Sequence, residues 1–298
     1  MSNKNGIIDV EVDAQAGRSL AGDDLPKLGQ VSTTRVDNLQ VRGVRGGATT
    51  GIPVLLTSPW PESIYAFRGV LPTIARRHPV IAVDLPGFGR SEGRPDVMSP
   101  EAMGRFIVTL AEHLGMNRLH AVGPDVGTSA LLFAAAQKPA LFESLIVGSG
   151  AASLELTAGA LKEIIASPPG AFAQADGGGI ATSFVSDAAA RSTPAAVLED
   201  YRLSAAGSRF EEQAKYVRAY VNDLPRLKEL LPNVQTPVLI LAGKSDPIVP
   251  PTNGQFLKDR LPRSRFTLLE AGHLVWEDAA EEYADHLASW LGGGYLSL

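Results

Sequence analysis

The chain has 298 residues, of which 45% are hydrophobic and 20% are charged, a composition typical of a globular protein with a large core. Its formal net charge of −5 argues against nucleic acid or an anionic membrane surface as a partner, because both attract basic patches. Cysteine is absent, which excludes disulfides, thiolate metal ligands and thiol nucleophiles.

The first thirty residues contain scattered acids and no apolar segment, so we expect an N-terminal arm over residues 1–30. A secretory signal would need roughly 7–15 consecutive apolar residues in this region. No run anywhere in the chain reaches the roughly 18 apolar residues that span a membrane. The sequence therefore predicts a cytoplasmic protein with no membrane partner.

Five short apolar runs are predicted as buried strands. Each is rich in Val, Ile and Leu, lacks alternation and ends near Gly, Pro or Asp, a pattern typical of parallel strands covered on both faces. They begin at Ile52, Pro79, Arg118, Ser144 and Pro237. Amphipathic stretches of helical length separate these runs. The alternation predicts an α/β fold in which helices flank a mostly parallel central sheet.

The alternation stops between residues 151 and 233, where helical patterns follow one another without strands. We therefore expect a core made of residues 31–150 and 234–298, with residues 151–233 inserted as a helical cap, or lid. Such a cap would cover the carboxyl edge of the sheet, where folds of this class bind ligands.

Two helix starts inside the predicted cap can be read from the sequence. Ser192 or Thr193 is a candidate cap before Pro194, because proline favours the first helical turn. Ser208 and Glu211 have the spacing of a capping box.

An acid stands at the corner between a predicted strand and the next predicted helix, in the sequence "GPDVG" from Gly123 to Gly127. Small residues on both sides allow strand and helix to approach closely, while the strained corner residue projects above the sheet. Asp246 follows a later predicted strand, and His273 follows the apolar run "RFTLLEAG". Together these landmarks resemble the α/β-hydrolase fold, in which nucleophile, acid and histidine occur in this order.

Asp125 occupies the position where many members of that fold have serine, so the chain resembles the aspartate-nucleophile branch, which includes epoxide hydrolases and haloalkane dehalogenases. The resemblance implies a hydrolase that uses no cofactor and no metal. A carboxylate is already an anion at pH 7 and can attack a saturated carbon to form an alkyl ester. His273, oriented by Asp246, would then activate the water that hydrolyses this ester.

Hydrolysis of the ester creates an oxyanion, which two backbone N–H groups would stabilise. Val126, directly after the nucleophile, is one expected donor, and Trp60 is the other. The family often has His-Gly-x-Pro in the loop that contains the second donor. Here Ser58 and Pro59 replace the first two residues of that motif, and proline has no N–H to donate.

The resemblance implies a small apolar organic substrate, an epoxide or an organohalide, and we expect an epoxide that is converted to a vicinal diol. Tyr216, about thirty residues before Asp246, matches the second of two lid tyrosines that protonate the epoxide oxygen in that family. The first tyrosine is missing from the early cap, and Tyr201 is a substitute with different spacing. Trp60, Phe172 and Tyr220 are predicted to line the pocket.

The alternatives differ in chemistry. A haloalkane dehalogenase typically has a tryptophan after the nucleophile to hold the halide, whereas this chain has Val126. For the haloacid alternative, the haloacetate dehalogenases of this fold place arginines just after the nucleophile to hold the substrate carboxylate, and the residues after Asp125 contain none. The chain could also be an ester hydrolase or a non-enzymatic ligand-binding member of the fold, and it could form a homo-oligomer.

The other histidines are predicted to be structural residues in helices or turns, without matched partners: His78, His113, His120 and His286.

Overall fold

A computed structural model describes residues 29–298, so the first 28 residues of the predicted N-terminal arm lie outside the described part. An eight-stranded sheet forms its centre, with strand order β1-β2-β4-β3-β5-β6-β7-β8. The strands are β1 (Gln30–Val36), β2 (Leu39–Gly47), β3 (Val54–Thr57), β4 (Pro79–Val83), β5 (Leu119–Pro124), β6 (Phe142–Gly148), β7 (Val238–Gly243) and β8 (Ser264–Leu269).

The α-helices alternate with these strands and then follow one another between β6 and β7. They are α1 (Leu71–Ala75), α2 (Pro100–His113), α3 (Val126–Gln137), α4 (Gly159–Ala166), α5 (Gly177–Ala188), α6 (Ala195–Ala205), α7 (Arg209–Arg218), α8 (Tyr220–Leu230), α9 (Thr252–Lys258), α10 (Val275–Asp278) and α11 (Ala280–Leu291). Within residues 29–298, no helix has both the length and the apolar character needed to cross a bilayer.

The sheet is mostly parallel, as predicted: β2 runs antiparallel to β1 and β4, and every other neighbouring pair is parallel. The five apolar runs form β3 to β7. Sequence analysis did not predict β1 and β2, whose side chains range from buried to exposed along each strand. Such partial burial gives a weak apolar signal, because antiparallel strands at a sheet edge need cover on one face only.

Helices cover both faces of the sheet, and alternate residues of each strand point to opposite faces. Leu55 of β3 packs in the cluster that contains Leu131 of α3, whereas its neighbour Leu56 packs in the cluster that contains Ile74 of α1 and Leu287 of α11. These side chains are almost completely buried. Each stabilises the fold by about 1.5–3 kcal/mol relative to an exposed position.

Helices α4 to α8 form one continuous insertion between β6 and β7, and we refer to residues 151–233 as the insertion. Two helices begin close to the predicted starts, and Ser208 directly precedes α7 as predicted, but neither predicted side-chain cap forms. Helix α6 begins at Ala195, with Pro194 as the preceding residue and no side-chain cap.

Helix α7 also lacks a side-chain cap, because Ser208 donates its hydroxyl to Glu212. The other half of the predicted capping box has partners elsewhere in the insertion. Glu211 accepts the N–H groups of Gly170 and Phe172 and pairs with Arg218. The spacing of Ser208 and Glu211 in the sequence therefore predicted a capping box, but both side chains form other contacts in the structure.

Candidate active site

Asp125 lies at the corner between β5 and α3, with φ of 52° and ψ of −121°. The corner passes close to Thr57 of β3. A Cβ atom added to Gly123 would lie 2.8 Å from the Thr57 hydroxyl, and one added to Gly127 would lie 2.4 Å from it. Only glycine fits at these two positions, because real Cβ contacts are not this short.

Hydrogen bonds from β6 hold this left-handed corner in place. The N–H of Asp125 donates to the carbonyl of Gly148 over 2.9 Å. The hydroxyl of Thr128 lies 3.1 Å from the carbonyls of Gly123 and Gly148 and accepts the N–H of Gly148 over 3.0 Å. A conformation that is unfavourable for aspartate is thus fixed by its neighbours.

The two oxygens of the Asp125 carboxylate have different environments. Oδ2 accepts the N–H of Trp60 over 2.8 Å, whereas Oδ1 lies 3.9 Å from Nε2 of His273 and has no hydrogen bond within residues 29–298. Burial raises the pKa of Asp125 above its usual value, and the charge of His273 and the N–H groups of Trp60 and Val126 partly offset this increase. The side chain is 12% exposed.

His273 follows β8, and Asp246 follows β7, so both reach the same edge of the sheet as Asp125. Nδ1 of His273 lies 2.8 Å from Oδ2 of Asp246. The other oxygen of Asp246 accepts the N–H groups of Ile248 and Val249, each over 2.9 Å. Asp246 therefore both caps its own turn and orients the imidazole.

The pKa of His273 reflects opposing effects. Burial lowers it, but the hydrogen bond and charge of Asp246, together with the charge of Asp125, raise it above the usual value. The imidazole is 2% exposed. An Nδ1–H that donates to Asp246 leaves Nε2 directed toward Asp125, and this tautomer can accept a proton at the site.

Trp60 lies in the loop after β3, and its two N–H groups have separate partners. The backbone N–H donates to Asp125, although Pro59 precedes it, and its role as an oxyanion donor stays a prediction. The indole N–H donates to Oε1 of Gln213 in α7 over 2.8 Å. Gln213 itself is fixed because its amide donates to the carbonyls of Gly87 and Ser204.

The other predicted pocket side chains belong to two groups. Phe172 packs on Phe210, with 5.2 Å between ring centroids, and Phe210 packs on Trp60 over 5.4 Å. Tyr216 and Tyr220 are completely buried and contact each other, with centroids 5.7 Å apart. Trp60 packs against both groups.

The hydroxyl of Tyr216 donates to the carbonyl of Val126 over 2.8 Å and lies 3.4 Å from the hydroxyl of Ser129. Burial raises its pKa well above the usual tyrosine value. In this conformation the phenol supports the first turn of α3.

Sequence analysis missed three side chains around His273. Phe184 of α5 and Trp276 of α10 contact its ring, with centroids 6.1 Å and 5.8 Å away. Glu62, two residues after Trp60, is completely buried and accepts the indole N–H of Trp276. The one signal that the sequence gives for any of these three side chains is that Trp276 follows His273 by three residues. Complete burial of a glutamate cannot be recognised from its sequence context.

His120 corrects a further prediction. It lies in β5, and its Nδ1 is 2.8 Å from the hydroxyl of Ser144 in β6, so it is neither in a helix or turn nor without a partner. This pair lies at the opposite end of the strands from Asp125. Within the described residues, no group of three or more His, Asp or Glu side chains could hold a metal ion.

Comparison with known proteins agrees with this architecture. Residues 52–280 match the family model of the α/β hydrolase fold. The chain belongs to the α/β hydrolase family. A thermophilic esterase from Thermogutta terrifontis has the same fold, with a TM-score of 0.73 and 24% identity over 88% of this chain and 98% of the esterase.

Two relatives within the α/β hydrolases differ in named activity. A soluble epoxide hydrolase from Corynebacterium is 34% identical over 100 residues, which are 34% of this chain and 35% of the relative. A pimeloyl-[acyl-carrier protein] methyl ester esterase from Neisseria meningitidis is 30% identical over 248 residues, which are 78% of this chain and 74% of the relative. Both relatives are therefore named as hydrolases, but the substrates in their names differ.

Proposed function

We propose that this α/β hydrolase uses Asp125 as a nucleophile and converts small apolar epoxides to vicinal diols. The observation that carries the proposal is the asymmetry of the carboxylate. Oδ2 is held by the N–H of Trp60, while Oδ1 has no hydrogen bond from the described part of the chain and lies on the side of His273. A carboxylate fixed through one oxygen presents the other in a defined direction, which favours attack on a bound carbon.

The first step forms a bond between Oδ1 and an epoxide carbon, and the ring C–O bond breaks. The ring oxygen leaves as an alkoxide and takes up a proton from a nearby donor. Tyr216 is our proposed donor, and its hydroxyl would turn from Val126 toward the alkoxide. A hydrogen bond that strengthens as charge develops lowers the barrier to this step.

The second step hydrolyses the ester on Asp125. Nε2 of His273 removes a proton from a water molecule, the resulting hydroxide attacks the ester carbonyl, and negative charge develops on the carbonyl oxygen. That oxygen is Oδ2, which already accepts the N–H of Trp60, while the Val126 N–H also acts on the carboxylate. Collapse of this intermediate breaks the bond between Cγ and Oδ1, so that Oδ1 leaves with the product and takes the proton held by His273 to complete the diol. The proton of the new Asp125 carboxyl group returns to Tyr216, which restores both side chains.

An epoxide suits the described contacts better than an organohalide. The indole N–H of Trp60 is the obvious halide donor in the loop, but it donates to Gln213. The residue after the nucleophile, Val126, has no side-chain donor. The segment that is similar to a soluble epoxide hydrolase adds support.

Ester hydrolysis is the second candidate, because a relative that matches 78% of this chain is named as a methyl ester esterase. In that case the N–H groups of Trp60 and Val126 would stabilise a substrate oxyanion, and Asp125 would act as a base rather than as a nucleophile.

Single-turnover mass spectrometry of the His273→Gln variant tests the proposal. With styrene oxide as the probe, we expect the intact protein to gain the mass of one styrene oxide, located on the peptide that contains Asp125. The ester should accumulate because its hydrolysis has lost the base, which contributes about 10²–10⁴-fold to the rate.

The matched control is Asp125→Asn, for which we expect neither adduct nor diol. Cleavage of 4-nitrophenyl acetate by the wild type that is lost in Asp125→Asn, together with no adduct from styrene oxide in His273→Gln, would favour the esterase with Asp125 as its base instead. In that outcome the carboxylate at position 125 does not bond to the substrate.

A further inference from the structure

Two carboxyl groups that the proposed steps do not use lie buried behind His273. Glu62 belongs to the loop that contains Trp60, and Glu277 belongs to α10, four residues after the histidine. Glu62 is 0% exposed, and the side chain of Glu277 is 4% exposed. Both belong to one buried network, because Trp276, which directly precedes Glu277 in α10, donates its indole N–H to Glu62.

The other partners of the two carboxyl groups differ in charge. Glu277 pairs with the guanidinium of Arg68 through both oxygens and accepts the hydroxyl of Tyr201 over 2.6 Å. Among residues 29–298, Glu62 accepts only the neutral indole N–H of Trp276, over 3.0 Å and 3.3 Å. Because a buried carboxylate needs a compensating cation, Glu277 is the ionised member of the pair and Glu62 the protonated one.

The pKa directions agree with this assignment. Burial raises the pKa of Glu62 well above its usual value, and the charge and hydrogen bond of Glu277 raise it further. The negative charge of Asp125 acts in the same direction, and only the Trp276 hydrogen bond opposes it.

Trp276 connects this pair to the imidazole. Its ring meets the ring of His273 at 75° with 5.8 Å between centroids, and Phe184 meets the same ring at 81° and 6.1 Å. The hydrogen bond between His273 and Asp246 fixes the position of Nδ1 but lets the imidazole ring rotate about the axis of that bond. The neighbouring aromatic rings restrict this rotation, and the indole is itself anchored by Glu62.

We propose that Glu62 and Glu277 share one proton and act, through Trp276, as positioning residues that hold the plane of the His273 imidazole for hydrolysis of the ester. The proposal rests on the function proposed above, in which His273 activates water. Tyr201 belongs to α6, so the same network connects the insertion to the histidine.

Substitutions at Glu62 distinguish a neutral acid from a charged one. Glutamine can accept the Trp276 N–H and donate to Glu277, as a protonated acid does, whereas leucine can do neither. With styrene oxide, we expect Glu62→Gln to hydrolyse the ester within about twofold of the wild-type rate. Glu62→Leu and Trp276→Phe should hydrolyse it about tenfold more slowly, because a small displacement of a catalytic group lowers the rate strongly. The rate of ester formation should not change.

A second readout needs no substrate. In protein labelled with ¹⁵N-histidine, the NMR titration of His273 should be the same in the wild type and Glu62→Gln and should shift in Glu62→Leu and Trp276→Phe. This measurement remains decisive even if the wild-type enzyme hydrolyses no epoxide, so failure of the proposed function is distinguished from failure of the positioning network.

Trp290→Phe is the matched control, because Trp290 is also buried and donates its indole N–H, over 2.9 Å, to Ser144 at the other end of the sheet. It should lower stability without changing the His273 titration. Equal loss of hydrolysis in Glu62→Gln and Glu62→Leu would mean that Glu62 acts as a charged carboxylate and would overturn the shared proton. If Glu62→Leu does not fold, an unchanged His273 titration in Trp276→Phe would overturn the positioning role.

Discussion

The hydroxyl of Tyr216 has two competing uses, since it donates to the carbonyl of Val126 and is also our proposed proton donor to the opened epoxide. We expect Tyr216→Phe to slow formation of the Asp125 ester by about 10²-fold, because general acid catalysis contributes at least this much. Hydrolysis of an ester already formed should keep its rate. Rapid-quench mass spectrometry with styrene oxide separates the two rates.

Tyr220→Phe is the appropriate control for that experiment, because Tyr220 contacts the Tyr216 ring and is equally buried. It should leave ester formation unchanged. A wild-type rate of ester formation in Tyr216→Phe would limit the role of the phenol to its bond with Val126.

Individual residues differ in how well sequence predicts them. Asp125, Asp246 and His273 could be selected because each directly follows an apolar strand, and strand ends that share an edge bring such residues together. The partners of Trp60 and Tyr216 could not be predicted. They depend on how α7 packs against the core, which no local pattern encodes.

At the scale of elements, α6 is attached to the core through a buried ion pair. Asp200 accepts both terminal nitrogens of Arg42, each over 2.8 Å, and the hydroxyl of Ser63 over 2.7 Å. We expect Asp200→Asn to lower the free energy of unfolding in urea by about 3 kcal/mol, because breaking a buried pair leaves part of a charge uncompensated.

The neighbouring residue supplies a control on the same helix. Glu199 pairs with Arg202 at the surface, so Glu199→Gln should cost less than about 1 kcal/mol. Equal losses for the two substitutions would show that the buried pair does not fasten α6 to the core.

Helices and strands were predictable where burial is uniform. Strands β3 to β7 are buried almost throughout, and their apolar runs gave their positions within a few residues. The edge strand β1 and its neighbour β2 were missed because burial varies along them. The capping box predicted at the start of α7 does not form, because Glu211 pairs with Arg218 and accepts the N–H of Phe172 instead.

At the scale of the whole molecule, the two ends of the sheet respond to pH in opposite ways. Near the site, the pKa of His273 is raised, so its contribution to stability is present at low pH and is lost as pH rises through the folded-state pKa. At the far end, burial and the charge of His78 lower the pKa of His120 from 6.5 to about 4. Its contribution is therefore present above about pH 6.5 and is lost as pH falls toward 4.

The contribution of His120 can be isolated by substitution. A shift from 6.5 to about 4 corresponds to a loss of at most about 3 kcal/mol between pH 7 and pH 4, at 1.36 kcal/mol per pKa unit. We expect the free energy of unfolding to fall by this much more in the wild type than in His120→Asn, which cannot take up the proton. Urea denaturation at several pH values measures the difference.

The location of His120 makes the same experiment informative about function. Its partners Ser144 and Tyr295 lie at the end of the sheet opposite Asp125, so protonation there should lower stability without acting directly on the site. Activity should already be lost at higher pH, where His273 with its raised pKa takes up a proton, and this loss should be the same in His120→Asn. If the free energies of unfolding of the two proteins change in parallel with pH, His120 has the same pKa in the folded and unfolded states, which would contradict the prediction.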